Sequence, residues 1–206
     1  VKALGDLMPE TELIFVNDGS RDATLAKLRA LCARARYRVR VVSFSRNFGK
    51  EAALLAGLRS STGEFTSIID ADLQQRPSYI VEMMDFLKEH PEYDAVAAYQ
   101  EERKEGFILS LFKKMFYNVI DSMTDVKIMQ AASDFRVLRR PVVDAILSLP
   151  EKCRFSKGIF AWVGFETYYM PYKVEERASG TSKWNFWKLL TYAFDGIIAF
   201  SNKPLI

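Results

Sequence analysis

Histidine and cysteine are nearly missing from this chain: its 206 residues include one histidine, His90, and two cysteines, Cys32 and Cys153. That scarcity excludes a disulfide scaffold, a Cys/His zinc cluster and any metal site built on several imidazoles. A histidine-based triad would need His90, which sits in KEHPEY at the end of a polar helical stretch and reads as a surface residue. An excess of one charge is also missing, since 29 Lys and Arg stand against 26 Asp and Glu for a net +3. The balance therefore does not imply a nucleic-acid partner, and none is expected. Nor is there an uninterrupted apolar run of about 18 residues, the length a spanning helix needs. The most apolar stretch, LLTYAFDGIIAFSNKPLI, is broken by Asp195. What is present is a 49% hydrophobic, 13% aromatic composition, enough for one domain with a sizeable core.

Both ends read as cut. The chain begins with Val, shows no basic-then-apolar leader, and enters a strand-like run at Glu12 to Val16. Near the other end Trp184, Trp187 and Tyr192 interleave with Lys183 and Lys188 ahead of the apolar stretch. That pattern fits the approach to a membrane and a C-terminal core helix equally well.

Between the ends, short branched or aromatic runs alternate with helical periodicity. Strands are predicted at Glu12 to Asn17, Arg38 to Phe44, Phe65 to Asp70 and Tyr93 to Tyr99, and helices at Asp22 to Ala35, Lys50 to Ser60 and Pro77 to Glu89. This alternation predicts an α/β fold with a mostly parallel sheet flanked by helices. Gly106 to Met123 then reads as a long amphipathic helix, packed into the core by first expectation or else covering an acceptor groove. The basic residues Lys27, Arg29, Arg34, Arg36, Arg38 and Arg40 read as a solvated helix face and strand edge.

In such sheets ligands collect beyond the carboxyl ends of the strands, and two acidic loops fall there. In VNDGSRD a turn and a helix cap account for Gly19, Ser20 and Asp22. Asp18 is left over, a carboxylate able to accept hydrogen bonds from a base or ribose. In IIDADLQQRP, Asp70 closes the strand and Asp72 follows two residues on, so extended geometry would send both side chains from one face. Two carboxylates without a basic neighbour repel, and a hard divalent cation relieves the repulsion while gripping phosphate oxygens. Gln74 adds a neutral oxygen, and an oxygen-only donor set suits Mg2+ or Mn2+ better than zinc. Cations to face the anion come from SDFRVLRR, where Asp134 and Arg136 share one strand face, and from ERASGTSKW, a Gly180-containing loop between Arg177 and Lys183. An ordinary surface loop would have the same composition.

VNDGSRD, SFSRNFGKEAALLAGL, DADLQ, SDFRVL and RASGTSKW, in that order, resemble glycosyltransferase family 2. More narrowly they are similar to its polyprenyl-phosphate sugar transferases, the group of dolichyl-phosphate mannosyltransferases and bactoprenol glucosyltransferases. The resemblance spans nearly the whole chain and implies a GT-A fold, with a catalytic domain over 1–182 lacking its first strand and a juxtamembrane region over 183–206. It implies that Asp18 contacts the nucleoside, that Asp70, Asp72 and Gln74 hold the metal and diphosphate, and that Arg177, Ser182 and Lys183 meet phosphates. Asp134 matches the acidic residue read as base or acceptor-orienting group, Arg136 stands beside it, and Arg103 falls where relatives bind the acceptor phosphate. Gln100 and Ser110 depart from the basic residues usual in that segment, and the Pro-x-Tyr-Asn-Glu loop that opens such proteins has no counterpart here.

The implied activity is a metal-dependent, inverting transfer of a hexose from a nucleotide diphosphate sugar, UDP-glucose by preference, to a polyprenyl phosphate at the cytoplasmic face of the cell membrane. Oligomeric state is left open. The competing expectations are a soluble family 2 enzyme acting on a polysaccharide hydroxyl, a nucleotide-sugar-binding module without catalysis, and an unrelated doubly wound domain with an acidic pocket.

Overall fold

The computed structural model describes residues 4–5, 10–100, 129, 132–150 and 154–173. The helix expected over 106–123, the loop over 176–184 and the segment 183–206 lie outside the described residues.

Among the described residues the first sheet has two strands, β1 (Glu12–Asn17) and β2 (Arg38–Ser43), paired in parallel from Glu12 opposite Arg38 to Asn17 opposite Ser43. Ile14, Phe15 and Val16 on one strand and Val39, Val41 and Val42 on the other suit a pleated, half-buried surface. The crossover is α1 (Thr24–Arg34), a run of Ala, Leu, Lys and Arg with high helix propensity that fully buries none of its residues. Asp22 Oδ1 accepts from the Thr24 N–H at 3.0 Å, as a residue ahead of a helix is expected to do. Next comes α2 (Lys50–Ser60), whose Gly57 faces Val16, so that a Cβ added there would lie 3.6 Å from Val16 Cγ2 and α2 covers β1.

Among the described residues the second sheet has four strands, in the spatial order β3 (Phe65–Ile68), β5 (Ala132–Arg139), β4 (Ala95–Gln100) and β6 (Thr167–Tyr172). β4 pairs with β6 in parallel, and β5 runs antiparallel to both β3 and β4. Three strands of this sheet thus point one way and β5 inserts between two of them against that direction. The expected α/β layering holds, with β5 as the antiparallel exception to a mostly parallel sheet. The strand–helix alternation that signals parallel pairing ends at β4, so nothing local announced the direction of β5.

Both faces of this sheet are covered, which is why β4 reads as a nearly unbroken apolar run, AVAAYQ. On one face Leu138 packs with Leu58 of α2, with Val142, Val143 and Ile146 of α4 (Arg140–Ser148), and with Ile159 and Phe160 of α5 (Ser156–Trp162). On the other, Phe135, Val137 and Val96 pack against Met83 and Leu87 of α3 (Ser78–Glu89). His90, at the end of α3, is half-exposed and bonded to Glu92, as a surface residue should be.

Candidate active site

The first acidic loop is welded to the segment ahead of α2. Asp18 Oδ1 accepts from the Phe48 N–H at 2.7 Å and Oδ2 from the Gly49 N–H at 3.0 Å, while Asn47 Nδ2 donates to the Asp18 carbonyl at 3.1 Å. Gly49 is the residue preceding α2, so Asp18 caps that helix from another loop and sets a negative charge at its positive end. Gly19 (φ +64°) is pressed against the same segment: a Cβ there would stand 2.3 Å from the Arg46 carbonyl carbon. Buried Asn17 completes the join through Ser43 Oγ at 3.0 Å and the Ser20 N–H at 3.3 Å. Each Asp18 oxygen takes one backbone N–H in this join, and a carboxylate oxygen offers two acceptor sites.

The second acidic loop departs from the extended geometry expected of it. β3 ends at Ile68, and Asp72 lies in a turn whose Leu73 has φ +62°, so the two aspartates do not share a strand face. Asp72 Oδ1 accepts from the Gln74 N–H at 3.2 Å, and buried Gln75 holds the start of the loop by accepting from the Asp70 N–H at 2.9 Å. The expectation of carboxylates without a basic neighbour is also corrected. Lys50 Nζ donates to Asp70 Oδ2 at 3.0 Å and to Asp134 Oδ2 at 2.7 Å. The reason is where the strands end: Ile68, the last paired residue of β3, faces Arg136 of β5, so the chain leaves β3 near Asp134, and Lys50 at the start of α2 reaches both carboxylates.

Electrostatics follow from this geometry. Burial works against the Asp134 carboxylate, but the Lys50 ammonium, aided by Lys157 and Arg136, outweighs it and holds its pKa below the usual range. Burial likewise works against the Lys50 ammonium, and the carboxylates of Asp134 and Asp70 overcome it, raising its pKa. One pleat along β5, Arg136 is buried, its guanidinium 3.6 Å from the centre of the Phe160 ring. Burial lowers its pKa to about 10 against the opposing pull of Asp134 and Tyr169.

Of the residues singled out from sequence, the fold brings Asp70, Asp134 and Arg136 to one face, with Asp72 and Gln74 in the adjoining turn and Asp18 in the neighbouring loop. Arg103, Arg177, Ser182 and Lys183 lie outside the described residues, as does Ser110. Gln100 ends β4. Lys50, Lys157 and Gln75 were missed. Lys50 did carry a signal: a lysine in the first turn of a helix opposes the macrodipole and so calls for a carboxylate partner. Among the described residues, no group of three or more His, Cys, Asp or Glu is placed to hold a metal ion, and no helix is long and apolar enough to cross a membrane.

A family model for glycosyl transferase family 2 matches residues 1–147. The chain is 44% identical over 195 residues to the putative glycosyltransferase CsbB of Bacillus subtilis, covering 94% of this chain and 58% of that protein. It is 40% identical over 207 residues to the bactoprenol glucosyl transferase of Shigella phage SfX, covering 100% of this chain and 67% of the relative. The chain spans about three fifths of the length of the first curated relatives it matches. Among solved structures, a mannosyltransferase from Pyrobaculum calidifontis, in complex with GDP-Man and Mn2+, aligns with a TM-score of 0.58 at 19% identity, over 93% of this chain and 56% of that one. TarS residues 1–349 from S. aureus, in complex with UDP, align at 0.56 and 17% identity, over 97% of this chain and 60% of that one. The layered sheets and these likenesses establish the GT-A fold that the motifs implied. By the family match and by identity to its relatives, the chain belongs to glycosyl transferase family 2.

Proposed function

We propose that this chain is the catalytic part of an enzyme that transfers a hexose, with inversion, from a nucleoside diphosphate sugar to a polyprenyl phosphate at the cytoplasmic face of a membrane. The observation that carries the choice of acceptor is the Lys50 bridge to Asp134 and Asp70. An aspartate whose pKa is held down by an ammonium is a poor base for stripping a proton from a sugar hydroxyl. A phosphate monoester has a second pKa of about 6 and arrives already ionised, so it needs no such base. Asp134 is then a group that orients the acceptor, and the hydroxyl-acceptor reading is the weaker one. The names of the phage relatives support the same acceptor class and glucose as the sugar, and UDP-glucose is the donor proposed.

In the transfer, an acceptor phosphate oxygen forms a bond to the anomeric carbon from the side opposite the diphosphate. The anomeric carbon–oxygen bond breaks, its electron pair leaves with the nucleoside diphosphate, and no proton has to move. Asp18 and the loop it caps would receive the nucleoside, and Arg103, Arg177, Ser182 and Lys183 would meet phosphates. Asp70, with Asp72 and the Gln74 amide in the turn that follows it, would supply a hard, oxygen-only donor set. That set fits a magnesium-type ion, which takes one or two carboxylates and completes its shell with phosphate oxygens and water. When bound there, Mg2+ or Mn2+ would offset the charge that builds on the leaving diphosphate.

Radiolabelled transfer to polyprenyl phosphate, with the full gene product in membranes, tests the reading. The unaltered protein should form a lipid-linked sugar, and Asp72→Asn should lower the rate by about a hundredfold or more. An unchanged rate in that variant would sink the metal assignment. Absence of lipid-linked product with every nucleotide sugar tried would overturn the function.

A further inference from the structure

Beside Asp134, on the same face of β5, a cavity of about 230 Å3 opens between the sheet and α5. Its construction follows from the strand register. Ile68, Arg136, Ala97 and Tyr169 form one row across β3, β5, β4 and β6. Ala97 presents only a methyl group between Arg136 and Tyr169, so the arginine and tyrosine flank a hollow that a larger residue would fill. Phe160 of α5 lies against the guanidinium and Lys157, one helical turn earlier, adds a second cation to the wall. Ala161 and Phe165 add an apolar stretch to the wall, Thr167 adds a hydroxyl, and Glu166 contributes one carboxylate against the two cations.

Arg136 is the unexplained member of this wall. It is 5% exposed, its Nη2 donates to the Ser133 carbonyl at 2.9 Å, and its buried Nε has no acceptor among the described residues. Buried charged donors are rarely left unmet, because desolvating one without a partner is costly. Asp134 acts on the guanidinium by charge and Phe160 covers one of its faces, yet neither supplies an acceptor to Nε, so Arg136 keeps a donor that an anionic ligand could meet.

We infer that this cavity binds a phosphate monoester bearing an apolar chain, with Arg136 and Lys157 meeting the phosphate and Phe160, Ala161 and Phe165 meeting the first carbons of the chain. The inference rests on the proposed function and deepens it: the ligand is the lipid acceptor, seated one pleat, about 7 Å, along β5 from Asp134. Volume agrees with a head group. The cavity holds several times the roughly 30 Å3 that a water occupies, yet is smaller than the roughly 300 Å3 or more usual for drug-sized ligands. A nucleotide or a whole lipid would not fit.

The test is direct binding to the full-length protein, by calorimetry, of farnesyl phosphate below its aggregation threshold, with inorganic phosphate and farnesol as comparison probes. Farnesyl phosphate should bind most tightly. Arg136→Met and Lys157→Met should each weaken it by about tenfold or more. Ala161→Phe fills the cavity from its apolar wall without stranding a buried charge, and should also weaken it tenfold while UDP binding, measured in parallel, stays intact. Farnesol or inorganic phosphate binding as tightly as farnesyl phosphate would overturn the inference, as would unchanged affinity in folded Arg136→Met and Ala161→Phe. The two readings fail separately. If sugar transfer to polyprenyl phosphate occurs and these variants keep the unaltered KM for that acceptor, the cavity assignment is wrong and the proposed function stands. If the variants lose farnesyl phosphate but no lipid-linked sugar forms, the function is wrong and the cavity stands.

Discussion

At the scale of single residues, position relative to backbone matters more than residue type. Gly19 is needed because two loops cross where it stands: at φ +64° with the Arg46 carbonyl carbon 2.3 Å from any added Cβ, no side chain can be accommodated without parting the loops. Gly19→Ala is expected to cost about 2 kcal/mol or more in urea unfolding and to weaken nucleotide binding, since Asp18 would be drawn away from the Phe48 and Gly49 amides. An unchanged urea midpoint would show that the loops are not held together there. Lys50 teaches the complementary lesson. Its place in SRNFGKEAAL was visible, but its two carboxylate partners lie 20 and 84 positions away, and no local spacing connects them.

At the scale of elements, β5 joins fold and site. Phe135 and Val137 face α3, while Asp134, Arg136 and Leu138 face the opposite side, so one strand supplies core on one face and chemistry on the other. Phe135 is completely buried, and Phe135→Ala should destabilise the protein by about 3–5 kcal/mol in chemical denaturation. Arg34→Ala, on the exposed face of α1, should stay within about 0.5 kcal/mol. Similar losses for the two would contradict this placement of the core. The alternation along SDFRVL was legible without coordinates because strand geometry has a period of two. The turn after β3 was not: Asp72 was expected in line with the strand, and the chain instead leaves extended geometry once the pairing partner of Ile68 is passed.

At the scale of the whole molecule, the site is a meeting of α2, β3 and β5, and its charges couple to global stability. Asp134 has a lowered pKa in the folded state, so the folded protein binds fewer protons there than the unfolded chain. Its contribution is complete above the ordinary carboxyl range, near about pH 4, and is lost as pH falls through the lowered folded value. Lys50 has a raised pKa, so its contribution is complete below the ordinary lysine range and is lost as pH rises through the folded value. Asp134→Asn should therefore flatten the fall in stability on the acid side, measured by urea midpoints between about pH 6 and pH 3. A fall as steep as in the unaltered protein would remove Asp134 from this account. The amino-acid order alone determined the α/β class, β1 through β4 with the three helices between them, the two acidic loops and the family, because periodicity, turn chemistry and motif spacing are local properties. Only the tertiary structure decided that β5 runs antiparallel between β3 and β4, that Lys50 joins Asp70 to Asp134, and that Arg136 lines a cavity. Those facts depend on strand register and on contacts between distant segments, where a shift of one residue would turn each of these side chains to the other face.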